Sequence, residues 1–457
     1  MKALAPTAAT ARTIAFDVLL RVEAGGAYAS RALDAALSKA GALPPRDAGL
    51  ATALVYGTLR RALQLDAWLA PHSSRPIGQL DPAARVLLRM GAYQLLVMGT
   101  PPHAAVGETV ELAKGAEHGR AAGFVNAVLR ALLRAGPPPA PPPFAADPAG
   151  HIAVAEALPR WLAEEWVAWL GADEALALAA AMNGPAPLTV RTPRAAELLE
   201  RARAAGLEAR PCAGSPDGLT LGGGSVAELT RAAAGLPFQV QDEGAQAAVL
   251  LAAGHLRGRT ARVLDACAAP GGKAFHLAEL LGPGSEVVAV ELHPRKAEAL
   301  RQEARRRALP VTVICADASK PIPGLEPASF DAVLVDAPCA GLGTLRRHPE
   351  LKQRRLAEDL PRLAALQLAI LRAMARYAKP GAPVTYAICS LSRAEGPGVV
   401  EALLAEGWRR DAAPAEVARA MLDPAGDLLT LPHRHGADGF YAARLVRAVH
   451  PPRPRPA

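Results

Sequence analysis

From Arg262 onward the chain repeats one pattern, a short apolar run, a turn, then a stretch with helical spacing. The runs are Arg262 to Leu264, Glu286 to Glu291, Val311 to Ala316, Asp331 to Asp336 and Pro383 to Cys389. Strands alternating with helices pair in parallel and carry helices on both faces, so this half of the chain is constrained to a mostly parallel α/β sheet. The first turn, Asp265-Ala266-Cys267-Ala268-Ala269-Pro270-Gly271-Gly272-Lys273, leads into a helical pattern of Phe275, Leu277, Leu280 and Leu281. Paired glycines let a ligand approach the backbone, and the free N–H groups of a helix start favour a polar or anionic group. Alone, such a turn is equally an ordinary βα connection. Two further strand ends distinguish it: Asp336-Ala337-Pro338-Cys339 and Tyr386-Ala387-Ile388-Cys389-Ser390. They place two cysteines at the carboxyl edge of one sheet, where open α/β sheets hold their ligands.

These three segments, in this order, resemble the Nol1/Nop2/Sun family of RNA 5-methylcytosine methyltransferases, whose members carry C-A-A-P-G-G-K, D-A-P-C and a T-C-S cysteine. Residues 267–273 match the first motif at every position. The N-terminal part is similar to that of the bacterial subgroup that methylates small-subunit ribosomal RNA and carries a domain like the antitermination factor NusB. The resemblance covers nearly the whole chain. It implies a multidomain fold: an all-α NusB-like helical bundle (1–135), a Pro-rich linker (136–150), an α+β RNA-binding segment (151–238), a Rossmann-like α/β methyltransferase domain (239–448) and a basic, Pro-rich tail (449–457).

Composition agrees with this division. At 457 residues the chain exceeds one ordinary core. Its formal charge is +8, and residues 1–135 hold 15 Lys/Arg against 9 Asp/Glu, so most of the excess lies in the N-terminal third. That suits a phosphate-rich partner, although a merely basic soluble protein has the same balance. Aromatic residues make up only 4%, which argues against base stacking as the dominant mode of recognition and leaves phosphate contacts and RNA shape. The five cysteines, Cys212, Cys267, Cys315, Cys339 and Cys389, have no C-x-x-C spacing, so neither a metal site nor a disulfide framework is expected. The first ten residues lack a leader pattern and no apolar run approaches membrane-spanning length. The expected protein is a cytoplasmic monomer with reduced thiols and no membrane partner.

Ile14, Val18 and Val22 recur at four-residue steps before Gly25-Gly26, Leu50, Leu54 and Leu59 line a second helix, and Asp81-Pro82 reads as a cap with proline at the first helical position. Phe124, Val125, Val128, Leu129 and Leu132 make a last apolar face. Gly136 to Pro143 holds six prolines in eight residues and must be extended, which marks a boundary. Gln239 to Gln246 resembles the family's approach to the catalytic domain, and reads equally as a helix cap with a solvated polar face. A final strand is expected from Gly439 to Leu445.

Glu291 ends the second strand, about twenty residues past the glycine turn, where a carboxylate accepts both hydroxyls of a ribose. The resemblance implies S-adenosyl-L-methionine as cofactor, held by Cys267, Ala268, Ala269, Pro270, Gly271, Gly272, Lys273, Glu291, Asp317 and Asp336. It implies Cys389 as nucleophile, Cys339 as the thiol that assists resolution of the covalent intermediate, and Asp336 as the carboxylate between cofactor and base. Arg346 and Arg347, in the basic loop after Cys339, are expected to meet RNA phosphate. Cys212 and Cys315 are assigned to the core, and Arg301, Arg305, Arg306 and Arg307 to a surface face. The sequence departs from the family pattern at Ile388 (threonine), Ala340 (serine) and Ala394-Glu395-Gly396 (Glu-Glu-Asn), which predicts weaker polar support around the thiols. The implied activity is cytosine-C5 methylation of 16S ribosomal RNA, in the position-967 class. A transfer-RNA enzyme of the same chemistry, a DNA-type enzyme using Cys339, and a non-catalytic ribosome-assembly or antitermination factor are the alternatives.

Overall fold

Helix α1 (Ala11–Gly25) starts at Thr10, which exchanges hydrogen bonds with Thr13 in a capping box, and stops at the left-handed Gly26. In this computed structural model, which describes residues 10–41, 43–115 and 119–447, the expected periodicity holds: Ile14, Val18 and Val22 are all buried. Helices α2 (Ala29–Ala40), α3 (Pro45–Leu69), α4 (Pro82–Leu96), α5 (Pro102–Gly115) and α6 (Ala122–Arg134) complete a bundle around Leu54, Leu87, Leu88, Val125 and Leu129. Asp81 caps α4 by accepting the Ala83 N–H, with Pro82 in the first turn. Gly57 is required by packing, since a Cβ there would lie 2.0 Å from the Tyr93 ring. Arg89 ties three helices together, pairing with Glu23 at 3.0 Å and Asp66 at 2.6 Å.

Residues 136–143 form neither helix nor strand. The compact unit nevertheless continues through residue 184 and takes in residues 345–355. Helices α7 (Pro148–Ala155), α8 (Arg160–Leu170) and α9 (Ala172–Met182) belong to it because side chains of α3 satisfy the end of α7. Arg61 donates to the Ala155 carbonyl at 2.6 Å and Gln64 to that of Val154 at 2.8 Å. Residues 345–355 are held the same way: Glu350 accepts the Ala29 N–H at 3.1 Å, and Arg354 donates to the carbonyls of Val22 and Ala27, both at 2.7 Å.

The second unit comprises residues 185–344 and the chain from 356. Its first part is an antiparallel sheet in the order β2-β3-β1-β4 (Ala209–Pro211, Gly218–Leu221, Leu188–Arg191, Gln239–Val240) with helices α10 (Ala195–Ala204) and α11 (Val226–Ala233). Helix α12 (Glu243–Ala253), buried along its whole length, leads to the main sheet. Strands β5 (Arg262–Ala266), β6 (Glu286–Glu291), β7 (Val311–Cys315), β8 (Ala332–Asp336) and β9 (Val384–Ile388) are parallel, with α13 (Gly272–Leu280) and α14 (Pro294–Arg306) in the first crossovers. The sheet order is β10-β12-β9-β8-β5-β6-β7. Strand β12 (Phe440–Arg447) runs antiparallel to β9, to β10 (Trp408–Arg410) and to β11 (Leu428–Thr430).

Central strands are buried on both faces, as in Val263, Leu264, Val333 and Leu334. Edge strand β7 is not, and here one expectation is corrected: Cys315 is exposed rather than core. No helix among the described residues is long and apolar enough to cross a membrane. The tail from residue 448 lies outside the described residues.

Candidate active site

Strand β5 ends at Ala266, and the chain turns back through Cys267, whose φ of 63° is left-handed, to Gly271 at φ 111°. A Cβ on Gly271 would also lie 2.5 Å from Leu300 and 2.6 Å from Phe275, so glycine is required there twice over. Helix α13 then begins at Gly272, presenting first-turn N–H groups that have no partner within the helix. Acidic side chains surround this turn at successive strand ends. Buried Glu291 closes β6, and its Oε1 accepts the His293 N–H at 2.8 Å. Asp317 follows β7, and Ser319 hydrogen-bonds its Oδ1 through both hydroxyl and N–H, which lowers the carboxyl pKa. Asp336 ends β8 and pairs with Lys273 Nζ at 2.8 Å.

Lys273 also lies 5.1 Å from the Phe440 ring centroid. Burial opposes its charge, but Asp336, with smaller contributions from Cys389 and Asp265, raises its pKa above the ordinary lysine value. Asp265, within β5, is fully buried with neither carboxylate oxygen hydrogen-bonded. Burial first, then Asp336, raises its pKa well above the carboxylate range, while Lys273 opposes the rise. Burial likewise pushes the Cys267 thiol up to about 12, with Asp336 and Asp265 adding to it.

Cys339 follows β8 and Cys389 follows β9, adjacent parallel strands, and their sulfurs are 3.5 Å apart. Both are free thiols. The Cys339 pKa is raised well above the usual thiol value by its contact with Cys389 and then by burial. The loop after Cys339 is pinned by backbone: Gly343 donates to the Cys389 carbonyl at 3.0 Å and accepts from the Gly439 N–H at 2.8 Å. A Cβ on Gly343 would fall 1.9 Å from the Gly439 oxygen, so only glycine permits this approach.

The expected loss of polar support is corrected by Glu395. Its side chain is fully buried; Oε1 accepts from the Ala340 N–H at 2.8 Å and from Gln367 Nε2 at 2.9 Å, and Oε2 from Ser390 Oγ at 2.5 Å. The Tyr386 hydroxyl lies 2.6 Å from the Glu395 carbonyl oxygen and 2.9 Å from Gln367 Oε1. Ala340 thus takes part through its backbone, for which no serine hydroxyl is needed. Sequence reasoning missed Asp265, Gln367, Tyr386 and Glu395 as parts of the site.

Other expectations are sharpened. Arg346 is buried at 5% exposure and its carbonyl accepts from Arg60, which removes it as a phosphate contact, whereas Arg347 is half-buried. Arg307 leaves the surface face: it stacks 4.9 Å over Phe275 and donates to Gln239 at 2.7 Å. Asp242 is a helix cap, accepting the Gly244 N–H, while Gln241 and Gln246 are buried rather than solvated. Cys212 is half-buried, and burial pushes its thiol up to about 12.

A parallel sheet ending in a reversed strand, a glycine turn after its first strand and acidic side chains on the neighbouring strand ends define an α/β methyltransferase. The chain belongs to the RsmB/F family: residues 256–446 match the family described as 16S rRNA methyltransferase RsmB/F, residues 9–134 the NusB family, and residues 158–227 the RsmF/B-like ferredoxin-like domain. It is 40% identical to the ribosomal RNA small subunit methyltransferase B of Thermus thermophilus, over 96% of this chain and 98% of the relative. It is 35% identical to the probable ribosomal RNA small subunit methyltransferase B of Bacillus subtilis, over 95% and 98%. The solved structure of PH0851 shares the fold, with a TM-score of 0.81 at 22% identity over 98% of this chain and 100% of that one.

Proposed function

We propose that this methyltransferase transfers a methyl group from S-adenosyl-L-methionine to cytosine C5 of 16S ribosomal RNA, in the position-967 class, through a covalent cysteine adduct. The observation that carries the reading is the pair of free thiols, 3.5 Å apart, on the strand ends beside the Lys273–Asp336 pair. The cofactor fits the residues present. The glycine turn admits close approach, the first turn of α13 offers N–H donors, and Glu291, Asp317 and Asp336 supply acceptors for hydroxyl and amino groups. When bound, S-adenosylmethionine supplies an electrophilic methyl group on a sulfonium.

Cytosine C5 is a poor nucleophile until a group adds to C6 and pushes electron density into the ring. Cys389 performs that addition as a thiolate, the nucleophilic form of the cysteine side chain. The C6–S bond forms and C5 becomes enamine-like; C5 would then take the methyl group as the methyl–sulfonium bond breaks and its electron pair stays on the cofactor sulfur. Loss of the C5 proton then breaks the C6–S bond, returning the thiolate and the aromatic ring. Cys339 assists this resolution: with its sulfur 3.5 Å from that of Cys389, it is placed to take the C5 proton when in its thiolate form. Asp336, fixed by Lys273, stands where cofactor and base meet. The basic residues of the helical unit, and Arg347, serve RNA phosphate.

Mass spectrometry of nucleosides from the small-subunit RNA of a deletion strain tests this directly. One 5-methylcytosine should disappear and return with the wild-type gene but not with a Cys389→Ser copy. If the RNA is unchanged by deletion, the catalytic reading fails in favour of a binding factor. If the missing methyl is on transfer RNA, the substrate assignment fails.

A further inference from the structure

Three donors converge on Glu395 from segments far apart in sequence, and two of them adjoin the thiols. Ala340 directly follows Cys339, and Ser390 directly follows Cys389. The third donor, Gln367 on the helix Asp359–Ala375, gives its amide hydrogens to Glu395 and to the carbonyl of Pro338, the residue before Cys339, the latter at 2.9 Å. Cys339 is therefore held from both sides, and the same carboxylate holds the residue after Cys389. Glu395, Gln367, Ser390 and Tyr386 are all fully buried, so water does not compete for these hydrogen bonds. The nearest alternative role, a general contribution to core stability, does not account for both donors next to a reactive cysteine meeting on one side chain.

We propose that Glu395 is a positioning residue that fixes the separation and aim of the Cys339 and Cys389 thiols. This rests on the assignment of those two thiols to the methyl-transfer reaction. The reaction asks one sulfur to reach C6 while the other stands within proton-transfer distance of C5, two neighbouring atoms of one ring. The Gly343–Cys389 backbone bond joins the two loops at one point, the thiols need a further tie beside them, and a misplacement of about 1 Å costs roughly 100-fold in rate. Glu395 spans them with one carboxylate.

The experiment uses full-length protein with three substitutions, Glu395→Ala, Glu395→Gln and Ser390→Ala, and two readouts. The first is steady-state methylation. Glu395→Ala should lower kcat by roughly 100-fold and leave KM for S-adenosylmethionine within about 3-fold, because the cofactor turn is untouched. Glu395→Gln should recover to within about 10-fold of wild type. Its amide oxygen still accepts the Ala340 N–H, and the Ser390 hydroxyl turns to accept from the amide nitrogen. The second readout needs neither RNA nor cofactor: the rate at which diamide converts the two thiols to a disulfide, the two thiol hydrogens passing to the diamide. That rate should fall at least 10-fold in Glu395→Ala and stay near wild type in Glu395→Gln. A Glu395→Ala protein that is folded, with both kcat and disulfide rate within about 2-fold of wild type, overturns the proposal. Should Glu395→Ala fail to fold, Ser390→Ala replaces it, and unchanged values for that variant count the same way. If the wild-type protein does not methylate, the functional reading falls while the diamide rates still decide whether Glu395 sets the thiol geometry.

Discussion

The sulfur of Cys339 lies 3.5 Å from that of Cys389, although 50 residues separate them in the chain. Two adjacent parallel strands bring the pair together, with Cys389 directly after β9 and Cys339 three residues after β8. A thiol in the core has no reason to meet a second thiol at the ligand-binding edge of a sheet, whereas a two-cysteine methyl transfer requires it.

Closeness brings a vulnerability. Peroxide should oxidise one thiol to a sulfenic acid, releasing water, and the second should displace a further water to close a Cys339–Cys389 disulfide. We expect reversible loss of methyl transfer, restored by dithiothreitol, with intact mass lower by two hydrogens and the linked peptides found together. Peroxide-treated protein that keeps two free thiols at these positions contradicts the geometry.

Glu291→Ala should weaken S-adenosylmethionine binding about 10- to 100-fold, the loss expected for one charge-assisted hydrogen bond. Calorimetry reads this directly, on variant protein whose circular dichroism shows it folded. Unchanged affinity removes Glu291 from the cofactor site.

Lys352 gives the helical unit a pH dependence. It is buried and donates to the carbonyls of Arg60 and Glu156, both at 3.1 Å, and to Asn183 Oδ1 at 2.7 Å. Burial, with Arg61 adding and Glu156 opposing, lowers its pKa from 10.5 to about 7. The unfolded chain therefore binds more protons than the folded one between these two values, so stability from this group rises with pH across that window. The slope is at most about 1.4 kcal/mol per pH unit. Urea titrations from pH 7 to 9 should show the slope in wild type and its loss in Lys352→Met. Parallel curves would place the pKa of Lys352 outside the window.

The strand ends were legible in sequence because apolar runs of strand length, closed by a glycine turn or by Asp-Ala-Pro-Cys, leave little choice of fold. Asp81 is a cap with a local partner, and such a local signal survives without tertiary information. What failed was non-local. Glu395, in Ala394-Glu395-Gly396, reads in sequence as part of a departure that weakens polar support; only the approach of Ala340, Gln367 and Ser390 makes it a buried hub. Cys315 sits in an apolar run, yet its strand is the sheet edge, and edge position follows from strand order rather than from composition. Across the proline-rich stretch, the carbonyls at the end of α7 are satisfied by Arg61 and Gln64 from α3, a link that no periodicity reveals.

The central claim, that Cys389 attacks the base and Cys339 resolves the product, is tested most directly by trapping the adduct. Wild type, Cys339→Ser and Cys389→Ser are each incubated with S-adenosylmethionine and small-subunit RNA, then run on a denaturing gel. Cys339→Ser should accumulate a protein–RNA band that survives denaturation, because addition proceeds and release is slowed, while Cys389→Ser should give no band and no methylation. An adduct that accumulates with Cys389→Ser and is absent with Cys339→Ser would contradict the account and make Cys339 the nucleophile.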